Sequence, residues 1–130
     1  MIVAVGLDLI EISRVRQVAE RHPVRFLRRC FHPEELAVLD GRKNVYPGLA
    51  ARFAAKEAFA KVWPAPLGWR DVWVVKEGER PVLAASPALE RAMEDEGLVV
   101  HVSLSHAEDH AAAVVVLERL ERARHSEGRP

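Results

Sequence analysis

The feature that most constrains the fold of this chain is an alanine-rich stretch near its middle, residues 49–63. Six of these fifteen residues are alanine, and the stretch contains no glycine or proline. Because alanine is the strongest helix former, the stretch predicts a helix, which Pro64 and Pro66 end. Small side chains allow another backbone or a ligand to approach closely, so we expect this helix at the centre of the fold.

Shorter apolar and amphipathic segments flank the predicted helix on both sides. Strands are predicted at residues 2–7, 72–75, 81–83, 98–106 and 111–117, and helices at residues 9–22, 24–31, 33–40 and 86–96. The last two strands are too close together for a helical crossover, so they must be antiparallel. The pattern predicts an α+β fold, a small single domain with an antiparallel sheet and a long central helix. We place the domain at residues 1–118 and a charged, frayed C-terminal tail at residues 119–130.

Length and charge limit the functions open to the chain. Its 130 residues suffice for one domain, and 19 basic side chains balance 19 acidic ones, which argues against a general nucleic-acid or membrane-surface binder. No apolar run approaches the roughly 20 residues of a membrane span, and the N-terminus lacks the pattern of a signal peptide. Cys30 is the single cysteine and cannot form an intrachain disulfide. We therefore expect a cytoplasmic protein.

Two acidic side chains are the first candidates for chemistry. Asp8 is predicted where the first strand meets the first helix, a rigid position open to solvent, although an aspartate there can simply cap a helix or turn. Glu57 lies among alanines, four residues before Lys61, with which it can form an ordinary surface pair. The same carboxylate and ammonium also suit a magnesium–phosphate ligand, because Mg²⁺ takes carboxylate and phosphate oxygens and lysine neutralises phosphate.

A serine and a histidine end the predicted strand at residues 98–106. Ser105 and His106 are adjacent, so their side chains point to opposite faces of a strand, and the chain has no Gly-x-Ser-x-Gly motif. Both observations argue against a serine hydrolase. His106 is a candidate ligand contact, with an exposed turn histidine as the alternative.

The arginines are unevenly distributed along the chain. Six of them lie within residues 14–29, where there is a single acid. Such a run is often only a solvated face, and the alternative is a surface that docks an acidic partner. The apolar positions of the predicted first helix leave Arg14 and Arg21 exposed. A proline interrupts that helix, so periodicity alone does not place Arg25 and Arg28 on the same face.

Three segments together resemble the holo-[acyl-carrier-protein] synthases. Residues 6–14 resemble the N-terminal signature of that family, with the sequence G-L-D-L-I-E-I-S-R. Residues 52–61 resemble its second signature, with the sequence R-F-A-A-K-E-A-F-A-K. Residues 102–106, followed by residues 111–118, are similar to its C-terminal hairpin. The segments occur in the order and spacing of the family, and the resemblance covers residues 1–118.

The resemblance implies a 4′-phosphopantetheinyl transferase-like fold and a specific reaction. That reaction moves the 4′-phosphopantetheine group of coenzyme A to a serine of apo-acyl carrier protein and releases adenosine 3′,5′-bisphosphate. The residues matching Asp8 and Glu57 hold Mg²⁺ against the pyrophosphate of coenzyme A. The residue matching Lys61 contacts phosphate and belongs with Glu57 to the catalytic pair, while those matching His106 and Arg52 belong to the coenzyme A site.

The resemblance also implies partners. The family is typically a homotrimer with active sites between subunits, and its first helix docks the acidic carrier protein. For this chain the implied docking residues are Arg14, Arg21, Arg25 and Arg28.

The sequence leaves four questions about this reaction open. The base that takes the proton of the serine is Glu57 itself or a water molecule on the cation. The family usually has a Gly-Thr-Gly loop after the Lys-Glu-Ala helix, whereas residues 64–68 here contain two prolines, and proline lacks an N–H to donate to a phosphate. The accepted carrier proteins and the preference for Mg²⁺ over Mn²⁺ are also open.

A non-catalytic binding module for an acidic protein or a nucleotide is the main alternative function, and a phosphate-ester hydrolase is a third.

Overall fold

A computed structural model describes residues 1–121, and residues 122–130, most of the predicted tail, lie outside the described part. Arg119, the first residue of the predicted tail, still belongs to β5. The division of the chain into a domain and a tail stays a prediction. None of the helices within residues 1–121 is long and apolar enough to cross a membrane. The elements are β1 (Ile2–Glu11), α1 (Ile12–Arg21), α2 (Pro23–Cys30), α3 (Pro33–Leu39), α4 (Tyr46–Val62), β2 (Val72–Glu77), β3 (Arg80–Ala85), α5 (Pro87–Asp95), β4 (Leu98–His106) and β5 (His110–Arg119).

Two antiparallel sheets form from these strands. The larger has the order β1-β5-β4, and the smaller is the β2–β3 hairpin, which turns at Gly78 with a φ of 64°. Within the larger sheet, Asp8 pairs with Ala113, and Ala113 pairs with Leu104, so these three residues lie side by side. The predicted α+β class and the antiparallel arrangement of the last two strands are confirmed.

Helix α4 packs across the inner face of the three-stranded sheet and forms the centre of the core. Three alanines of the predicted helix, Ala54, Ala55 and Ala58, lie in the core cluster with the sheet and have no exposed surface, whereas Ala60 is exposed. Phe59 and Val115 are also completely buried between the helix and the sheet. The small side chains let the helix lie close to the strands, as the alanine content predicts.

Gly6 is the point of closest approach between β1 and α4. A Cβ atom at this position would overlap the carbonyl oxygen of Ala58 and lie 3.1 Å from Cγ1 of Val62. Since the obstacle is helix backbone rather than a flexible side chain, the helix would have to move away from the strand. The glycine therefore sets the distance between the two elements that carry Asp8 and Glu57.

The predicted end of the first strand is wrong. The sequence predicts that the strand ends at Asp8 and that a helix follows, but residues 9–11 continue β1 because each of them pairs with β5. Asp8 therefore lies within a strand, and the N-cap position of α1 belongs to Glu11. The helical spacing downstream is confirmed, since three predicted core positions are buried: Ile12, Val15 and Ala19.

Helix α4 begins three residues earlier than predicted, at Tyr46. Pro47 and Gly48 hide this start in the sequence, because both are usually helix breakers. Proline is tolerated in the first turn, where the missing N–H has no partner to lose. The predicted stop is confirmed, since α4 ends at Val62, just before the prolines.

The outer face of the three-stranded sheet, away from α4, is apolar. Along β1, Val5, Leu7 and Leu9 are 60%, 62% and 65% exposed. Val114 and Val116 of β5 lie on the same face and are half-buried. An exposed aliphatic row of this kind is typical of a surface that another protein covers.

Replacing Gly6 by alanine should destabilise the protein by about 2–3 kcal/mol, because the new methyl group meets the backbone of Ala58. Urea unfolding measures the change. Gly68→Ala is the matched control, since a Cβ there meets only the side chain of Asp71. Equal unfolding free energies for the two variants would contradict the close contact.

Candidate active site

Strand β1 and helix α4 bring Asp8 and Lys61 together. The Nζ atom of Lys61 donates a hydrogen bond of 2.6 Å to the carbonyl oxygen of Leu7 and lies 3.4 Å from Oδ1 of Asp8. The Asp8 side chain is 19% exposed, whereas that of Lys61 is 53% exposed. The ammonium therefore sits at the mouth of the site, and the carboxylate lies deeper within it.

Asp8 and Glu57 line one open cavity of about 310 Å³, called here the carboxylate cavity. Its walls come from β1, α1, α2 and α4. Besides the two acids, Arg14 contributes a charged side chain, and the apolar side includes Val18 and Phe26. The cavity thus combines negative, positive and apolar surface within reach of a single ligand.

The structure does not show the capping role for Asp8 or the surface ion pair for Glu57 that the sequence left open as alternatives. Asp8 is not a cap, because it pairs within β1. Glu57 does not pair with Lys61 four residues later, because the ammonium points to Asp8 instead. Within residues 1–121 the Glu57 carboxylate has no hydrogen bond or ion pair, so its oxygens are available to a ligand.

The donor chemistry of the cavity fits a magnesium ion. Two carboxylates that line one solvent-accessible cavity are the hard oxygen ligands that Mg²⁺ prefers, and this ion usually keeps the rest of its shell for water and phosphate. The described residues contain no group of three or more His, Cys, Asp or Glu side chains arranged to hold a metal. Asp8 and Glu57 would therefore share the ion with a phosphate ligand rather than enclose it.

Arg52 and His106 line a different pocket of about 230 Å³, together with Arg42 and Lys76. These four residues define what we call the basic pocket. Arg52 is only 5% exposed, and its Nη1 donates to the carbonyl oxygen of Gly48 at 3.2 Å. Its buried Nε has no partner within the described residues. Burial lowers the pKa of the Arg52 guanidinium, with Glu35 acting in the opposite direction, yet an arginine remains charged.

The two sites lie on opposite sides of α4. Asp8 belongs to the edge strand β1 and His106 to the other edge strand, β4, with β5 between them. Two interstrand spacings separate the edges by about 10 Å, and α4 covers the middle strand. The structure therefore brings Asp8, Glu57 and Lys61 together, but it does not bring Arg52 and His106 to them within one chain.

The predicted docking arginines are all exposed, and three of them surround Val18. Arg14 lines the carboxylate cavity, and Arg21 and Arg25 border the neighbouring grooves beside Val18. Arg28 is exposed on α2 but does not line these grooves. Arg29 does, a position that the interrupted helical period did not single out.

Sequence reasoning missed the contributions of Arg42 and Lys76 to the basic pocket. Arg42 lies in a polar loop and Lys76 near the end of β2, so no spacing connects them to His106. Ser105 and His106 end β4, as predicted, and both line the basic pocket. Directly after the proline-containing segment at residues 64–68, Trp69 stacks on Phe53 with 5.0 Å between ring centroids.

Comparison with known proteins identifies the family. A family model described as the 4′-phosphopantetheinyl transferase superfamily matches residues 4–115. A holo-[acyl-carrier-protein] synthase of Thermus thermophilus is 57% identical over 118 residues, which cover 91% of this chain and 94% of the relative. The chain belongs to the holo-[acyl-carrier-protein] synthase family of this superfamily.

Solved structures of the same family share the fold. The crystal structure of holo-[acyl-carrier-protein] synthase from Neisseria meningitidis has a TM-score of 0.83 at 31% identity and covers 92% of this chain and all of that one. The Bacillus anthracis synthase in complex with CoA (3′,5′-ADP) has a TM-score of 0.77 at 31% identity, covering 92% and 99%. The fold implied by the sequence resemblance is confirmed.

Proposed function

We propose that this protein transfers the 4′-phosphopantetheine group of coenzyme A to a serine of apo-acyl carrier protein. The serine oxygen bonds to the phosphorus that carries pantetheine, the pyrophosphate bond breaks, and adenosine 3′,5′-bisphosphate leaves. The observation that carries the proposal is the convergence of Asp8 and Glu57 at one cavity, with Lys61 beside Asp8, in a chain of this family. The related synthase from Bacillus anthracis was crystallised in complex with CoA (3′,5′-ADP).

The charged side chains of the cavity suit phosphoryl transfer, in which catalysis is mainly positioning and neutralisation of charge. A magnesium ion on Asp8 and Glu57 would neutralise the pyrophosphate when bound. Lys61 adds a positive charge beside Asp8, where its ammonium is held by the Leu7 carbonyl oxygen. Glu57 is our candidate for the base, acting directly or through an ordered water, because its carboxylate has no protein partner within residues 1–121.

We assign the basic pocket to the remaining anionic part of coenzyme A, through Arg52 and His106. Coenzyme A carries phosphate at two separated places, the pyrophosphate and the ribose 3′-position. One chain offers two pockets for these groups, but they lie on opposite edges of the sheet with α4 between them. A neighbouring copy can supply the second pocket to the carboxylate cavity of the first.

The apolar outer face of the sheet supports this arrangement. A homotrimer would cover the exposed row of Val5, Leu7 and Leu9, which lies on the same strand as Asp8. Copies that meet through this face would place each carboxylate cavity at a subunit boundary. We therefore propose a homotrimer with composite sites, in a cytoplasmic enzyme of fatty acid biosynthesis.

A non-catalytic binding module is not favoured. Two carboxylates in one cavity repel each other and repel anionic ligands, so a simple binder of phosphates or acidic proteins gains nothing from them. A cation between them removes the repulsion and links the acids to phosphate chemistry. The arginines around Val18 are the proposed docking surface for the acidic carrier protein: Arg14 lines the same cavity, and Arg21 and Arg25 border the neighbouring grooves.

The transfer reaction is tested by incubating the protein with coenzyme A, Mg²⁺ and an apo-carrier protein and weighing the carrier. We expect a gain of one phosphopantetheinyl group, and Glu57→Gln should slow it at least tenfold, about 1.4 kcal/mol of barrier. Glu94→Gln is the matched control, an exposed acid on α5. Coenzyme A breakdown without carrier modification would indicate a hydrolase, and normal turnover by Glu57→Gln would refute the metal site.

Mixing two inactive variants tests the composite site. Glu57→Gln disables the carboxylate cavity and His106→Ala the basic pocket, so mixed trimers contain some sites with both parts intact. Random assembly of equal amounts should restore about a quarter of wild-type activity at low coenzyme A concentration. Glu57→Gln mixed with Asp8→Asn should restore none, because both changes affect the same cavity. Recovery in neither mixture would contradict the shared site.

The docking surface is tested by Arg14→Glu with Arg21→Glu. Exposed opposite charges mainly accelerate encounter, so kcat/KM for the carrier should fall at least tenfold at low salt while the melting temperature changes little. Added salt should weaken the wild type more than the double variant, given a Debye length of about 8 Å at physiological ionic strength. Arg80→Glu with Arg91→Glu controls for charge alone. A wild-type rate in the variant with Arg14→Glu and Arg21→Glu would show that these arginines form only a solvated face.

A further inference from the structure

One buried ion pair takes no part in the proposed transfer reaction. Lys56 and Glu35 approach to 2.8 Å, and their side chains are 2% and 0% exposed. Removing two charges from water is costly, and an apolar pair of similar volume often gives equal or greater stability. Burial lowers the pKa of Lys56, and the charge and hydrogen bond of Glu35 oppose this shift. Stability alone therefore does not account for the pair.

The pair connects three elements through hydrogen bonds. Oε1 of Glu35 accepts from the backbone N–H of His32 at 3.0 Å, and Oε2 accepts from that of Val74 at 2.9 Å. The Nζ atom of Lys56 donates to the carbonyl oxygen of Val72 at 2.6 Å as well as pairing with Glu35. Helix α4 is thereby attached in a defined direction to the start of α3 and to β2.

The apolar contacts of α4 do not by themselves fix its rotation. Ala54, Ala55 and Ala58 contribute little shape to the contact with the sheet, and Phe59 and Val62 add larger side chains near the end of the helix. Apolar contact is non-directional, so it specifies the distance of a helix more strongly than its rotation about its own axis. Buried polar groups with fixed hydrogen-bond geometry add directional information, a role attested where single polar residues set helix register.

Rotation of α4 matters because it carries the reacting side chains. Lys56 directly precedes Glu57 in the sequence, so their side chains leave the helix axis in directions about 100° apart. Lys61 lies one turn beyond Glu57 on the same face of the helix. At the outer helix radius of roughly 5–6 Å, a rotation of about 10° displaces a side chain by about 1 Å. A misplacement of that size can cost about a hundredfold in rate.

We propose that Glu35 and Lys56 are a positioning pair that fixes the rotation of α4 and so directs Glu57 and Lys61 into the carboxylate cavity. The inference rests on the proposed transferase function. Neither residue lines the carboxylate cavity or the basic pocket, and the pair acts through the helix that it holds. Its loss should therefore change how the cavity binds magnesium and coenzyme A, beyond any change in stability.

The test is the double variant Glu35→Gln with Lys56→Met, which removes both charges together. We expect a folded protein whose kcat falls at least tenfold and whose half-saturating Mg²⁺ concentration rises at least tenfold. Calorimetric binding of coenzyme A in the presence of Mg²⁺ should weaken to a similar degree. Met93→Ala is the matched control, since it truncates a buried side chain on α5 and should lower the melting temperature without changing the Mg²⁺ requirement.

A folded double variant with wild-type Mg²⁺ requirement and wild-type coenzyme A binding would overturn the proposal. The same shift in Met93→Ala would also overturn it, because the effect would then follow stability alone. If the double variant does not fold, the single variants Glu35→Asp and Lys56→Arg test the proposal instead. Each keeps both charges of the ion pair but changes the length of one side chain. Each should raise the half-saturating Mg²⁺ concentration at least threefold. Wild-type values in both variants would reject the positioning role of the pair.

Failure of the proposed function gives a different result. A wild-type protein that binds coenzyme A but leaves the carrier mass unchanged would reject the transferase. Calorimetry on the variants would still report whether the pair directs the cavity.

Discussion

The close contact between α4 and the three-stranded sheet is the constraint on which the rest of the structure depends. Gly6 has no side chain, and the helix face opposite is built from alanines, so strand and helix backbones approach directly. This distance lets Lys61 of α4 reach the carbonyl oxygen of Leu7 and the carboxylate of Asp8. A larger side chain at the contact would separate the two elements that carry the acids.

Much of the fold was predictable because local sequence signals agree with the tertiary structure. The alanine-rich helix and the antiparallel last strands follow from composition and loop length. The extension of β1 beyond Asp8 was not predictable, because it depends on pairing with β5, which lies a hundred residues away. The start of α4 was hidden by Pro47 and Gly48, whose cost is small in a first helical turn.

The candidate site was predictable to a lesser degree. Residue types and helical spacing pointed to Asp8, Glu57 and Lys61, but the sequence could not show that Lys61 pairs with Asp8 rather than with Glu57. It also could not show that Arg52 and His106 line a different pocket from the two acids. The separation of His106 from Asp8 follows from strand order, and under our proposal a neighbouring copy brings the two pockets together.

A crystal structure of the protein with coenzyme A and Mg²⁺ tests this account most directly. The account predicts that the pyrophosphate and the ion lie beside Asp8 and Glu57 of one copy, while the remainder of coenzyme A contacts Arg52 and His106 of the next. Coenzyme A held entirely within one chain, or bound with its pyrophosphate away from the two carboxylates, would contradict it.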